Sequence, residues 1–141
     1  YLDLALVANA DGLHLGQGDL PAWEARRLLP MDTILGVSAT DVEAAINAQS
    51  EGADYISIGP IYASPSRKPE AVLGIERLSE VRKEIKLALV AVGGINQANV
   101  AEVRAAGADA VAVMSAVLGA ENVELACRQI VKQFEAVKWA G

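Results

Sequence analysis

Two apolar runs in this chain end alike, and their endings are the first places where chemistry could occur. Leu87-Ala-Leu-Val-Ala-Val92 stops at Gly93-Gly94-Ile95, and Ala108-Asp-Ala-Val-Ala-Val113 stops at Met114-Ser115-Ala116. Each reads as a buried strand that empties into small residues and then a helix. Small residues leave backbone N–H groups uncovered, and two consecutive loops of this kind form a phosphate cup in many βα barrels. Tight turns alone would also explain Gly93-Gly94. The pairing with Ser115 favours the phosphate.

Three further segments carry reactive groups. The loop Gly59-Pro-Ile-Tyr-Ala-Ser-Pro-Ser-Arg-Lys-Pro-Glu-Ala-Val-Leu-Gly74 follows another strand. Ser64 and Ser66 offer hydroxyls there, and Arg67 and Lys68 offer positive charge, which is anion-binding chemistry. A solvated loop would be the default for an isolated Ser-Pro-Ser. Asp19 follows His14-Leu-Gly-Gln-Gly at a strand end. A carboxylate there could hold Mg²⁺, which takes one or two carboxylates plus water and phosphate oxygens. A negative charge ahead of the helix that Pro21 opens is the simpler reading on sequence alone. Ser38 closes its strand as a small hydroxyl that could cap the next helix or bind an anion. His14 is the only histidine. It falls inside an apolar alternation, which predicts a packed, hydrogen-bonded ring rather than a catalytic base. The sequence has no Cys/His metal cluster and no Ser-His-Asp constellation.

These residues need elements to position them. Ala-Asp followed by alternating apolar residues occurs three times, at Ala10, Ala53 and Ala108. Gly52 and Gly107 precede two of these, as left-handed helix ends require. Further strands fit residues 33–37 and 87–92. Pro21 opens a helix through Leu29. Thr40-Asp-Val-Glu43 reads as a capping box, with Val42, Ala45, Ile46 and Gln49 on one face. Ile75, Leu78, Val81 and Ile85 form another stripe, and Val100, Val103 and Ala106 a third. Val123, Cys127, Ile130, Val131, Phe134 and Val137 form the longest, with Cys127 expected in the core. A helix followed by five strand–helix units of roughly 25 to 30 residues each predicts a parallel α/β sheet. An open doubly wound sheet is one arrangement. A (β/α)8 TIM barrel fits the phosphate cup better, but such a barrel needs about 200 residues or more. Residues 1–141 therefore read as one TIM-barrel domain lacking its first three βα units. An incomplete wall leaves edges and apolar faces that either those units or other copies, in a homo-oligomer, must cover.

Composition narrows the partners. The apolar share of 52% against 4% aromatics is mostly Ala, Val, Leu and Ile, which suits strands buried on both faces. A net charge of −6 argues against nucleic acid or anionic membranes as partners. The single cysteine cannot form an internal disulfide, which fits a reducing cytoplasm. No apolar run approaches membrane length.

Five motifs, taken in order, resemble one family. Asp11-Gly-Leu-His-Leu-Gly-Gln-Gly-Asp-Leu-Pro21, Ile34-Leu-Gly-Val-Ser38, Gly59-Pro-Ile-Tyr62, Val92-Gly-Gly-Ile95 and Met114-Ser-Ala116 together resemble thiamine phosphate synthase. The resemblance implies a barrel that joins hydroxymethylpyrimidine diphosphate to a thiazole phosphate with help from Mg²⁺ and releases pyrophosphate. Asp19 matches the second of the family's two Mg²⁺ carboxylates. Ser38 matches a hydroxyl on the pyrimidine diphosphate. Ser64-Pro65-Ser66 stands where the family has Thr-x-Thr, on the thiazole phosphate side, and Gly93-Gly94 with Met114-Ser115 matches the backbone cup. The family's pyrophosphate-binding lysine falls on Arg67 by gapless match, with Lys68 next to it. Ser38, Arg67 and Lys68 are thus the expected catalytic residues. The family's Gln-x-Arg-x-Lys motif and its Asn-Asp pair have no counterpart here, and Asp3 reads as a helix residue. The resemblance therefore implies that this stretch by itself lacks half of the site.

Three other readings compete. A thiazole tautomerase-like relative would carry a histidine after the Ser38 strand, where this chain has Ser38-Ala-Thr-Asp41. A non-catalytic paralogue would keep the phosphate cup without the chemistry. A generic phosphate-binding isomerase or decarboxylase barrel is the weakest of the three.

Overall fold

The computed structural model describes residues 1–64 and 72–139. Helix α1 (Leu2–Val7) leads into β1 (Gly12–Leu15), α2 (Ala22–Leu28), β2 (Ile34–Ala39), α3 (Val42–Ser50) and β3 (Tyr55–Ile58). Then come α4 (Gly74–Glu84), β4 (Ala88–Val92), α5 (Val100–Ala105), β5 (Ala110–Ala112), α6 (Ser115–Leu118) and α7 (Val123–Glu135). The five strands form one sheet in chain order, and every neighbouring pair is parallel. All five carboxyl ends therefore lie along one edge, as strict β/α alternation requires.

Alternation along the strands separates two faces. Ile56, Ile58, Leu89 and Ala91 are buried against helix residues such as Ala45, Leu78, Val81, Val100 and Val103. At the β1 end, Leu15 and Leu35 pack with Ala22, Ala25 and Leu29. The residues of opposite parity are different in kind. His14, Gly36, Tyr55 and Ala88 sit in one register row, and Ser38, Ser57, Val90 and Ala110 in the next. This second face is small and partly polar, and His14, Ala88 and Ala110 on it are exposed.

The Ala-Asp repeat has a structural purpose at the opposite edge. Asp54 accepts the Leu35 N–H at 2.7 Å and the Arg26 guanidinium at 2.6 Å. Asp109 accepts the Leu89 N–H at 2.9 Å and the Arg82 guanidinium at 2.8 Å. Each clasp ties the preceding helix, its following strand and the next strand together. Gly52 and Gly107 supply the left-handed backbone before each aspartate, with φ of +96° and +104°.

Two expectations need correction. The N-cap of α3 is Asp41, whose Oδ1 accepts the Ala44 N–H at 2.8 Å, and not Thr40. The Thr40 hydroxyl instead accepts from Gln17 Nε2 at 3.0 Å, joining the β1 and β2 loops. Cys127 is exposed rather than in the core. Helix α7 has 13 residues, while α5 has 6 and α6 has 4. Within this chain only part of its apolar stripe is covered, and Ile130 is its one buried residue among those described.

Candidate active site

Five loops leave the sheet at its carboxyl edge, and four of them carry the expected residues. After β1, the backbone turns tightly, and Asp19 Oδ2 accepts the Gly16 N–H at 2.7 Å. Helix α2 has Pro21 as its N-cap and no side-chain cap bond, so Asp19 does not serve as a cap. The Asp19 charge pulls the His14 pKa upward, which places the carboxylate within electrostatic reach of the ring. Burial outweighs that pull and holds His14 below the ordinary imidazole range. Asp19 is exposed, and no group of three or more His, Cys, Asp or Glu that could hold a metal occurs among the described residues. One carboxylate at the strand edge still suits Mg²⁺ held jointly with phosphate oxygens and water.

Ser38 lies near the end of β2 on the open face. It neither caps α3 nor faces the helix-side core; its Oγ lies 2.9 Å from His14 Nε2. His14 is hydrogen-bonded, as expected, but it stands partly covered on the open face rather than in the core. Its Nδ1 lies 2.9 Å from the Tyr55 hydroxyl, and the two rings stack at 5.5 Å between centroids.

The loop after β3 folds over the loop after β4. Ile61 N–H donates to the Val92 carbonyl at 2.9 Å, and Tyr62 N–H donates to the Gly93 carbonyl at 3.1 Å. Tyr62 is latched to α5 through Glu102 Oε2 at 2.8 Å. Gly94 has φ of +63°, and a Cβ there would fall 2.5 Å from the Ala63 carbonyl oxygen. A side chain at Gly94 would therefore push away the backbone that leads straight into Ser64. Pro65, Ser66, Arg67 and Lys68 lie outside the described residues.

The loop after β4 is braced from behind. Asn96 Nδ2 and Asn99 Nδ2 donate to the Gly94 carbonyl at 3.3 and 3.1 Å. A trans peptide then points the Ile95 N–H the opposite way. Val92 is in register with Ala112, so Gly93-Gly94 and Met114-Ser115 leave adjacent strands at the same level. Neighbouring strands lie about 4.8 Å apart. Met114 is the N-cap of α6 without a side-chain cap bond, and the Ser115 and Ala116 N–H groups have no acceptor among the described residues. Short as it is, α6 begins with uncommitted donors after the strand next to the one that leads into the Gly94 loop.

Sequence reasoning did not single out Tyr55 as the partner of His14. A signal existed: His14, Gly36 and Tyr55 occupy one row across three strands, with a bare glycine in the middle.

A parallel sheet in chain order, covered by helices on one face, with its loops gathered at the carboxyl edge, is the wall of a βα barrel. The family model described as thiamine monophosphate synthase matches residues 1–117, and the chain belongs to that family. The thiamine-phosphate synthase of Methanoculleus marisnigri is 47% identical over 141 residues, covering 99% of this chain and 67% of that protein. That of Methanocella arvoryzae is 48% identical over 130 residues, covering 92% of this chain and 61% of the relative. The solved thiamine phosphate pyrophosphorylase of Pyrococcus furiosus superposes with a TM-score of 0.86 at 38% identity, covering 96% of this chain and 65% of that one. The chain thus spans about two thirds or less of the relatives it matches. A 3-hexulose-6-phosphate synthase structure, at 19% identity and a TM-score of 0.68, shares the fold.

Proposed function

We propose that the protein carrying this chain is a transferase that joins hydroxymethylpyrimidine diphosphate to a thiazole phosphate, giving thiamine phosphate and pyrophosphate. The supporting observation is the placement of Asp19, Ser38, Ser64, Gly94 and Ser115 at the carboxyl ends of five adjacent parallel strands. Two anionic groups must be held near each other in this reaction, and this edge offers separate donors for each.

The thiazole phosphate is held by backbone N–H groups of the Gly94 and Ser115 loops, with Ser64 and Ser66 as the hydroxyls the resemblance assigns to it. Fixed amides bind a phosphate without reorganising, and the N-terminal end of α6 adds its donors. The pyrimidine diphosphate lies nearer β1 and β2, where Ser38 donates to it, and Arg67 or Lys68 is the cation assigned to it by the resemblance. The thiazole nitrogen then forms a bond to the pyrimidine methylene as the methylene–oxygen bond breaks. The electron pair leaves with pyrophosphate, and positive charge grows on the methylene. Asp19 would hold Mg²⁺, which would supply charge stabilisation to the leaving group. Cationic side chains act in the same sense. The compartment that fits this reading is the cytoplasm; no helix among the described residues is long and apolar enough to cross a membrane.

Incubating the whole protein with both substrates and Mg²⁺, and following thiamine phosphate, tests the proposal. Turnover is expected. Asp19→Ala should lower it about a hundredfold at low Mg²⁺ and recover in part at high Mg²⁺, as loss of one metal ligand requires. Absence of turnover by the intact wild type would remove the proposal.

A further inference from the structure

A hydrogen-bonded chain of three side chains crosses the open face of the sheet and ends on Ser38. The Tyr55 hydroxyl lies 2.9 Å from His14 Nδ1, and His14 Nε2 lies 2.9 Å from Ser38 Oγ. The three residues come from β3, β1 and β2. Tyr55 can reach over β2 only because position 36 is glycine: a Cβ there would fall 2.0 Å from Tyr55 Cζ. The geometry thus depends on four positions, none of which is needed for the helix-side core.

The chain also has a direction. Burial holds His14 below the ordinary imidazole range, so near neutral pH its ring donates from one nitrogen and accepts at the other. Burial also pushes the Tyr55 hydroxyl pKa upward, so Tyr55 keeps its proton. A phenol donates well, and an imidazole lone pair accepts well. Tyr55 therefore gives its O–H to Nδ1, which requires the ring proton to sit on Nε2. That proton goes to Ser38 Oγ. With a lone pair engaged in this way, Ser38 keeps its own O–H to donate elsewhere. The reverse direction would spend the Ser38 proton on His14 and present only lone pairs to an anion.

We infer that Tyr55 and His14 are positioning residues that orient the Ser38 hydroxyl as a hydrogen-bond donor toward an anionic diphosphate. The identity of the anion rests on the proposed function; the direction of the hydrogen bonds does not. Neither residue touches the reacting atoms in this account.

The direct test is the tautomer of His14 in the whole protein, read by long-range ¹H–¹⁵N correlation of the imidazole. The resonances are identified by their loss in His14→Gln. The Nε2–H form is expected at neutral pH, and Tyr55→Phe, which removes only the hydroxyl, should erode that preference. A dominant Nδ1–H form in the wild type would overturn the inference. Kinetics supply a second arm. Tyr55→Phe should raise KM for the pyrimidine diphosphate about tenfold, the size of one hydrogen bond to a charged group, and leave KM for the thiazole phosphate nearly unchanged. A general structural defect would move both, and equal changes would overturn the inference. His14→Gln can still donate an N–H to Ser38, so it should retain more activity than His14→Ala; equal activities would also overturn the inference. If the wild type makes no thiamine phosphate, the functional proposal fails, while the tautomer still decides the hydrogen-bond direction.

Discussion

Gly94 is held in place by two independent constraints. Its φ of +63° disfavours any side chain, and the Ala63 carbonyl occupies the space a Cβ would need. Gly94→Val should therefore shift the loop that carries Ser64 and block backbone approach to a phosphate. We expect KM for the thiazole phosphate to rise by more than about tenfold in steady-state kinetics, since β-branching adds strain to the left-handed backbone. Unchanged KM would show that the phosphate binds elsewhere. At this scale the sequence was only partly legible. Gly94 and Ser115 could be read because small residues at the ends of apolar runs are a local pattern. Tyr55 could not be read in the same way. Its importance comes from its reach over Gly36 to His14, and that contact depends on register between strands 41 residues apart in sequence. Thr40 was misassigned because a hydroxyl and a carboxylate stood side by side, and the Gln17 amide decided which of them capped α3.

Between elements, the two aspartate clasps lend themselves to measurement. Burial pushes the Asp54 pKa up, but the Leu35 N–H and Arg26 outweigh it, and the net shift is downward. A carboxyl depressed in the folded state stabilises the protein above its unfolded pKa, near about 4, and that stability is lost as pH falls. Asp54→Asn should therefore be less stable than wild type at neutral pH, and the gap should narrow as pH drops through the carboxylate range. Chemical denaturation at several pH values reads this directly; a gap independent of pH would show that the charge contributes nothing. The second clasp is more deeply buried. Arg82 is 9% exposed and also donates to the Ile85 and Leu87 carbonyls. Arg82→Ala should cost about 3 kcal/mol, because several acceptors lose one shared donor. The Ala-Asp repeat was visible in the sequence, but its partners were not. Arg26 and Arg82 lie 28 and 27 residues before the aspartates they bind.

For the whole molecule, strand order and parallel pairing followed from strict β/α alternation, because a right-handed crossover leaves few alternatives. The division of the sheet into a packed face and an open face needed the register. Ile56 and Ile58 are fully buried on the helix side, while Tyr55 and Ser57, which alternate with them, belong to the other face. Ile58→Ala should destabilise by about 2–5 kcal/mol in denaturant unfolding, as a cavity in that core demands. In this chain the same change on the open face, at the exposed Ile34, should cost far less. How α7 is covered was not legible, because an amphipathic stripe shows which face is apolar and not what lies against it. Cys127 lies on that stripe and is exposed in this chain.

The account places two anions at one edge of one sheet, and a crystal structure of the whole protein with thiamine phosphate, pyrophosphate and Mg²⁺ tests that most directly. The phosphate of the product should lie within hydrogen-bond distance of backbone N–H groups in the Gly94 and Ser115 loops. The pyrophosphate should accept from Ser38, with Mg²⁺ between it and Asp19. A phosphate seated away from the carboxyl edge, or a metal with no contact to Asp19, would contradict the account.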